Sequence, residues 1–364
     1  PWLREVLAHP VQFLRSYLVA FLFWIGISLG CLALVMLHHL VGGGWGFLIR
    51  RFLESGTRTI PLMALLAVPL LGGISRLYVW ANPATAAGDP VVQHKRIYLN
   101  VPFFLGRTAV YFAVWILLAY FLNRWSGEQD RREDSSLRRR LNNLSGPGLV
   151  LYALTVSLAS VDWVMSLEPD WFSTIYSALF MVGQGLSTLA FAIAVLMLLA
   201  GSSSLSELLS PRYLNDLGNL LLTFVILWAY MAFSQFLIIW AGNLPDEITW
   251  YLHRVRGGWG WIAAVLIGFH FALPFVLLLF RGMKRKLPTL AAVAGVILVL
   301  RWVDMFWIVE PAFGHGAFSF HWLDWFLPLA MGGIWIAVFF WQLKRKPLLP
   351  LHDPWLREVL AQHA

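Results

Sequence analysis

Cysteine and charged residues are scarce in this 364-residue chain. The single cysteine, Cys31, lies in an apolar run, so the chain alone cannot build a disulfide, an iron–sulfur cluster or a thiolate zinc site. Charged residues make up 13% of the sequence against 59% hydrophobic residues, and the mean hydropathy is +0.69. This composition excludes an ordinary soluble domain and indicates an integral membrane protein surrounded by the lipid bilayer.

Apolar runs of spanning length recur along the whole chain and predict an all-α polytopic membrane protein. No cleavable signal peptide precedes them, because the first run is itself of spanning length. The nine predicted spans are 17–41, 60–80, 101–122, 148–167, 173–200, 218–241, 258–281, 288–309 and 323–343.

The basic residues are distributed unevenly between the two sides of the predicted membrane domain. Of the 27 lysines and arginines, alternation of the connections places 18 on one side and six on the other. This positive-inside bias predicts a cytoplasmic tail at 344–364, and it explains the net charge of +8 without nucleic-acid binding. Pro1 then lies outside, and we expect an earlier span that this sequence does not contain.

Two of the predicted spans end in the same pattern, Asp-x5-Glu-Pro. Span four ends with Asp162, Glu168 and a proline, and span eight ends with Asp304, Glu310 and a proline. Together with a repeated Trp-Ala-(Gly)-Asn exit from spans two and six, the pattern predicts duplication of a four-span unit. The prediction is therefore two parallel four-helix bundles, at 17–167 and 173–309, followed by a last helix at 323–343.

Carboxylates inside a membrane are costly unless they are paired, protonated or hydrated, so Asp162 and Asp304 are functional candidates. Arg301 is three residues before Asp304 on the same helix, and Arg76 and Arg107 approach the side of the membrane where Asp162 lies. One interpretation is ion pairs that fix helix packing. The other is a proton relay, in which Asp162, Asp304, Glu168 and Glu310 hold protons near the outer surface.

Further proton-transfer candidates follow from polar side chains at helical spacing. Thr155 shares a helix face with Asp162, and span six carries Tyr230 and Ser234 on a face that we expect to point into a bundle. The alternative for these hydroxyls is that they only hydrogen-bond neighbouring helices. His270 is the only histidine in the middle of a span, and its chemistry suits a proton relay but not a bis-histidine haem.

Several long segments resemble the integral membrane subunits of bacterial alternative complex III, a family similar to the NrfD-like membrane subunit of polysulfide reductase. They are SVDWVMSLEPDWFSTIY (160–176), YLNDLGNLLLTFVILWAYMAFSQFLIIWAGNLPDE (213–247), WYLHRVRGGWGW (250–261), HFALPFVLLLFRGMKRK (270–286), RWVDMFWIVEP (301–311) and DPVVQHKRIYLNVPFF (89–104). The ending HDPWLREVL also fits, whereas the second copy of PWLREVLA at residues 1–8 does not. Members of this family have ten spans, including two four-helix bundles.

The resemblance implies a subunit of a quinol-oxidising electron-transfer complex. Its expected partners are a related NrfD-like quinol-binding membrane subunit, multihaem cytochrome c subunits, an iron–sulfur subunit and small membrane-anchored subunits. Haem c and iron–sulfur clusters would then reside in those partners, and menaquinone or ubiquinone would be the substrate. This chain carries no cofactor motif, so we expect a structural and proton-conducting role, with direct quinol binding or a stand-alone transporter as the alternatives.

Overall fold

The computed structural model describes residues 10–132, 134–201, 209–314 and 318–349, and all regular secondary structure in these ranges is helical. Within them, nine helices are long and apolar enough to cross a membrane. The chain is therefore an all-α, multi-pass membrane protein. The spans are Pro10–Val41, Gly44–Gly72, Val101–Gln129, Ser136–Leu167, Tyr176–Leu199, Pro211–Gly242, Trp259–Leu279, Leu287–Ala312 and Trp322–Leu343. Both copies of PWLREVLA lie outside the described residues.

Four of these spans are not continuous α-helices, and one of them, span eight, is the helix Leu287–Val309 followed by the 3₁₀ turn Glu310–Ala312. Span two consists of the helices Gly44–Thr57, Ile60–Leu66 and Val68–Gly72, and the two later helices each have a proline in their first turn. Proline supplies no backbone N–H and so interrupts the helical hydrogen bonds. Span four is the helix Ser135–Trp163 followed by the 3₁₀ turn Met165–Leu167. Span seven contains a π-helical segment at Leu266–Ala272.

Short helices connect the spans on one side of the molecule. Residues after span two form Ile74–Leu77, Pro83–Ala86 and Pro90–His94, and the connection after span six forms Pro245–Val255. Spans four and eight also end on this side, which we call the Glu-Pro end. The opposite side, where spans one and three end, is called the basic end. The topology predicted from the basic residues places the Glu-Pro end outside the cell.

The first eight spans pack as two rings of four. Spans one, two, three and four contact one another in sequence and close with a contact between spans four and one. Spans five to eight form the same cycle of contacts, closed between spans five and eight. The rings meet where span one packs against spans five and eight, and span nine covers spans one and two. The origin of the two halves by duplication stays a prediction.

The predicted start of span two and the predicted connection between spans three and four are wrong. Span two begins at Gly44 rather than at 60, because Arg50, Arg51 and Glu54 are buried within its first helix instead of lying in a loop. Residues 123–147, which the predicted spans leave as the connection between spans three and four, are also mostly helical, because one helix continues to Gln129 and the next begins at Ser135. Charge density is a poor boundary signal where the charges pair with one another.

Candidate functional site

At the end of span four, Asp162 forms a closed ion pair with Arg107 of span three. The guanidinium donates from Nε to Oδ2 and from Nη2 to Oδ1, both at 2.8 Å, and the Tyr111 hydroxyl donates to Oδ2 at 2.7 Å. The Asp162 side chain is 0% exposed. Both carboxylate oxygens therefore have strong donors, and this two-pronged geometry fixes the carboxylate between spans three and four.

The arginine of this pair is itself enclosed by aromatic side chains at the Glu-Pro end. Its guanidinium carbon lies 3.8 Å from the Tyr98 ring centroid and 4.3 Å from that of Phe103. Burial and the Asp162 carboxylate raise the pKa of Tyr98 to about 12, so its hydroxyl stays protonated. Arg76, which was also expected near Asp162, is exposed and forms no salt bridge in the described ranges. The first half therefore pairs Asp162 through Arg107 alone.

Glu168 joins the two halves of the molecule at the Glu-Pro end. Its Oε2 accepts from Arg254 Nη2 at 2.7 Å, and its Oε1 lies 3.0 Å from His253 Nδ1, both on the helix Pro245–Val255. Arg254 is buried, stacks on Trp250 at 3.8 Å, and also donates to the Ile308 carbonyl at 2.6 Å. Both acids of the first Asp-x5-Glu-Pro pattern are thus used in contacts that hold helices together.

In the second half, Asp304 pairs with Arg301 on its own helix rather than with a neighbouring span. The contact joins Arg301 Nη1 and Asp304 Oδ2, and Arg301 Nε donates weakly to Ser187 Oγ at 3.3 Å. A methyl group on Gly183 would lie 2.2 Å from Arg301 Nη2, so this glycine leaves the space that the guanidinium fills. The pair is buried, but a single helix supplies both charges, and among the described residues no side chain of another span forms an ion pair with the carboxylate.

His270 lies beside this pair in the middle of span seven. The imidazole is 0% exposed, and neither ring nitrogen has a hydrogen-bond partner among the described residues. Its ring packs edge-on against Trp228 at 4.2 Å, and it is close enough to Arg301 to be affected by that charge. The Trp228 indole nitrogen lies near Asp304 but does not reach hydrogen-bond geometry. His270 is also in the π-helical segment, a distortion that frequently marks functional sites.

Glu310, at the end of span eight, has the weakest hydrogen-bond and ion-pair contacts of the four acids in the two Asp-x5-Glu-Pro patterns. Its Oε2 lies 3.5 Å from Arg15 Nε, and its Oε1 has no hydrogen-bond partner in the part of the chain described. Asp324 is nearby, but it is well satisfied by Ser16, Gln12 and the His321 backbone. Two buried carboxylates therefore face one arginine, which leaves Glu310 with an uncompensated negative charge when it is ionised.

The predicted hydroxyl candidates divide between the interior and the surface. Thr155 is buried, but it accepts from Trp115 Nε1 at 2.8 Å and donates to the Leu151 carbonyl, which is the helix-packing alternative. The expectation that the span-six stripe points into a bundle is wrong for Tyr230, whose side chain is 62% exposed. Ser234 is half-buried. The correction arises because span six is largely peripheral, and its helical stripe faces outward.

A small cavity with a mostly apolar lining and a few polar side chains lies where the two halves meet. It is lined by residues of spans one, four, five and eight, including Ser160, Gln184, Ser187 and Arg301, and its volume is about 30 Å³. One water molecule needs roughly 10–15 Å³ by this measure, so the cavity has room for about two. It connects the neighbourhood of Trp163, beside Asp162, with the Arg301–Asp304 pair.

A larger groove of about 300 Å³ opens at the Glu-Pro end of the first half. It is lined by His94, Lys95, Tyr98, Ser166 and Trp171, with apolar side chains between them. The Tyr98 hydroxyl is buried and has no hydrogen-bond partner within the described ranges. This is the lower limit of the size that binds small organic molecules, and the polar groups present suit a carbonyl or hydroxyl ligand. Among the described residues, no group of three or more metal-ligating side chains is found.

A buried charge cluster at the basic end was missed by the sequence analysis. Arg50 Nε and Arg51 Nη1 donate to Glu54 at 2.9 and 2.7 Å, and Lys346 Nζ lies 3.3 Å from the same carboxylate. Arg51 also pairs with Asp130 of span three. The sequence offers one signal for this cluster, the i,i+3 and i,i+4 spacing of the two arginines to Glu54. These residues lie between the first two predicted spans, where charged side chains are expected in a loop.

No protein-family model matches this chain, and no curated protein matches it. The resemblance to membrane subunits of alternative complex III therefore rests on the quoted segments alone.

Proposed function

We propose that the chain is a membrane subunit of a quinol-oxidising electron-transfer complex of the alternative complex III type in the bacterial inner membrane. Its first half serves to hold helices together, and its second half conducts protons. The support for complex membership is the resemblance of the segments around Asp162, His270 and Asp304 to that family. The support for the division of labour is the different pairing of the acids in the two halves.

The observation that carries the proton-conducting role is His270. A buried imidazole without partners is costly, and that cost is removed when water or a proton-exchanging neighbour bonds it. An imidazole can accept a proton at one ring nitrogen while it gives one up from the other. Asp304 and the water-sized cavity at Ser187 lie on the way to the Glu-Pro end. In the proposed route a proton passes from His270 to Asp304 and leaves through Glu310.

The first-half acids do not belong to this route. Protonating Asp162 would disrupt two hydrogen bonds from Arg107 and one from Tyr111, and would loosen the contact between spans three and four. That step is expensive in a membrane interior. The expected contribution of Asp162 and Glu168 is therefore assembly and rigidity.

The route is tested by proton release during quinol oxidation by the purified complex in liposomes. His270→Gln and Asp304→Asn should lower the number of protons released per electron, while the complex still assembles with its full haem content. Asp246→Asn is the matched control for Asp304→Asn, because Asp246 is an exposed carboxylate at the Glu-Pro end. An unchanged proton-to-electron ratio in both buried variants would overturn the proton-conducting role.

Complex membership is tested separately by affinity purification of the tagged chain from membranes. We expect co-purification of haem c, iron–sulfur clusters and a second, related membrane protein. Purification of a stable chain without cytochrome partners would contradict membership and favour the stand-alone transporter.

The groove at Tyr98 favours a second candidate function, direct binding of the quinol. Its size suits a quinone ring, and Tyr98 and His94 offer hydrogen-bonding groups at its wall. A photoreactive quinone should then crosslink to residues 94–99 or 165–172, and Tyr98→Phe should raise the KM for quinol. Crosslinking confined to a partner subunit would leave this chain with the structural and proton-conducting roles.

A further inference from the structure

Several cations crowd around the carboxylates of the charge cluster at the basic end. Arg50, Arg51, Arg58 and Lys346 lie around Glu54 and Asp130. Arg50 and Arg51 are 2% and 1% exposed, which keeps water from screening them fully. Buried cations need anionic partners, so a cation of this group that makes no close ion pair is a candidate to bind a further anion.

The weakly paired cations of this group are Arg58 and Lys346. Among the described residues, Arg58 bonds neutral acceptors, with Nε donating to Asn123 Oδ1 at 2.8 Å and Nη1 to Gln342 Oε1 at 3.3 Å. Lys346 Nζ reaches Glu54 and the Asn123 carbonyl, both at long distances of 3.3 and 3.4 Å. Within these ranges Arg58 forms no salt bridge, and Lys346 shares the Glu54 carboxylate with two arginines.

A third cation extends this group to the surface. The exposed guanidinium of Arg345 stacks on the Trp341 ring at 3.7 Å, which orients it at the end of span nine. Arg58 and Arg345 are close enough for mutual repulsion. Burial lowers the pKa of Lys346, and Arg58 and Arg51 add to that effect, while Glu54 opposes it. Three mutually repelling cations therefore converge where the first helix of span two ends and beside the end of span nine.

The position of these cations relative to the bilayer identifies the anion. Trp341 is the last aromatic residue of span nine, and exposed tryptophans of membrane helices concentrate at the level of lipid headgroups. Basic pockets between membrane helices bind anionic headgroups at that level, and arginine matches the oxygens of a phosphate. We propose that Arg58, Arg345 and Lys346 form a binding site for the phosphate of an anionic lipid headgroup, such as that of phosphatidylglycerol or cardiolipin.

The site is tested on the full-length chain, purified in detergent with the subunits that accompany it. Phosphatidylglycerol, phosphatidylcholine and inorganic phosphate are added in turn, and bound lipid is counted by native mass spectrometry alongside the thermal unfolding midpoint. We expect phosphatidylglycerol to bind and stabilise, and the other two additives to have little effect. Stabilisation by inorganic phosphate alone would assign the site to a free anion and overturn the lipid assignment.

Substitutions locate the binding. Lys346→Gln and Arg345→Gln should each weaken phosphatidylglycerol binding by about tenfold, the usual scale for loss of one charge-assisted contact. Lys344→Gln is the matched control, because Lys344 is an exposed cation at the same helix end. Arg345 is exposed, so its variant reports on binding even where Lys346→Gln affects folding. Equal binding by the Arg345, Lys346 and Lys344 variants would overturn the site.

Discussion

The two Asp-x5-Glu-Pro endings have the same sequence pattern but differ in how their acids are paired. At the first ending, Asp162 receives three hydrogen bonds from Arg107 and Tyr111, and Glu168 binds Arg254 of the other half. At the second ending, Asp304 has a partner from its own helix, and an oxygen of Glu310 has no partner in the described ranges. The acids of the first ending are therefore held more tightly than those of the second.

The difference arises from where the arginine lies. Arg107 is on a neighbouring span and approaches Asp162 along the two-pronged direction, which fixes the distance between two helices. Arg301 is one helical turn from Asp304, so their pair does not connect spans and constrains packing less. A buried acid that holds no helix together can change its protonation state at a smaller structural cost, which is why the second ending suits proton transfer.

The largest expected effect is the loss of stability in Arg107→Ala. This change leaves the Asp162 carboxylate buried with only the Tyr111 hydroxyl, and breaking a buried ion pair on one side costs about 3–5 kcal/mol. The thermal unfolding midpoint of the purified chain should fall strongly and the yield from membranes should drop. The double variant Arg107→Met/Asp162→Leu should regain much of the loss, because it leaves no unpaired charge. A single variant as stable as the parent would remove the distinction between the two endings.

A smaller loss is expected for Glu168→Gln. Arg254 then lacks its carboxylate, but it keeps donating to the carbonyls of Trp250 and Ile308, so the cost should be about 1–3 kcal/mol. The measurement is again the unfolding midpoint, with Glu128→Gln as a control because Glu128 pairs only with the exposed Arg124. A control as destabilised as Glu168→Gln would contradict the proposed link between the halves.

Much of the fold could be predicted from hydropathy, because spanning helices must be apolar over their length whatever they contact. The ends of spans five, eight and nine agree with prediction within three residues at each boundary. The start of span two could not be predicted in the same way. Arg50, Arg51 and Glu54 raise its polarity above that of a lipid-exposed helix, and only the three-dimensional packing brings Ser126 and Lys346 to them.

The candidate site was predictable in its residues but not in its pairing. The sequence indicated that Asp162 and Asp304 are unusual, because membrane carboxylates are rare. It did not indicate that Arg107 rather than Arg76 meets Asp162, since both are placed near the same surface by hydropathy alone. The orientation of span six was also out of reach, because its apolar residues surround the helix and leave no clear face for Tyr230.

At the second ending, Glu310→Gln should change stability by less than about 1 kcal/mol. The substitution removes a buried negative charge whose Oε1 has no donor, so the lost contact with Arg15 is offset by the smaller desolvation cost. In the assembled complex the same variant should lower proton release, because glutamine does not carry a proton. Loss of stability comparable with that of Arg107→Ala would show that Glu310 also holds helices together.

The smallest effect is expected for Tyr230→Phe. Tyr230 is 62% exposed on an outward face of span six. Removal of its hydroxyl should therefore change stability by no more than about 0.5 kcal/mol. Proton release per electron should match that of the parent, in contrast to His270→Gln measured in the same preparation. A clear loss of proton release would mean that Tyr230 acts at a contact with another subunit. The proton route would then cross the boundary between proteins rather than run inside the second half alone.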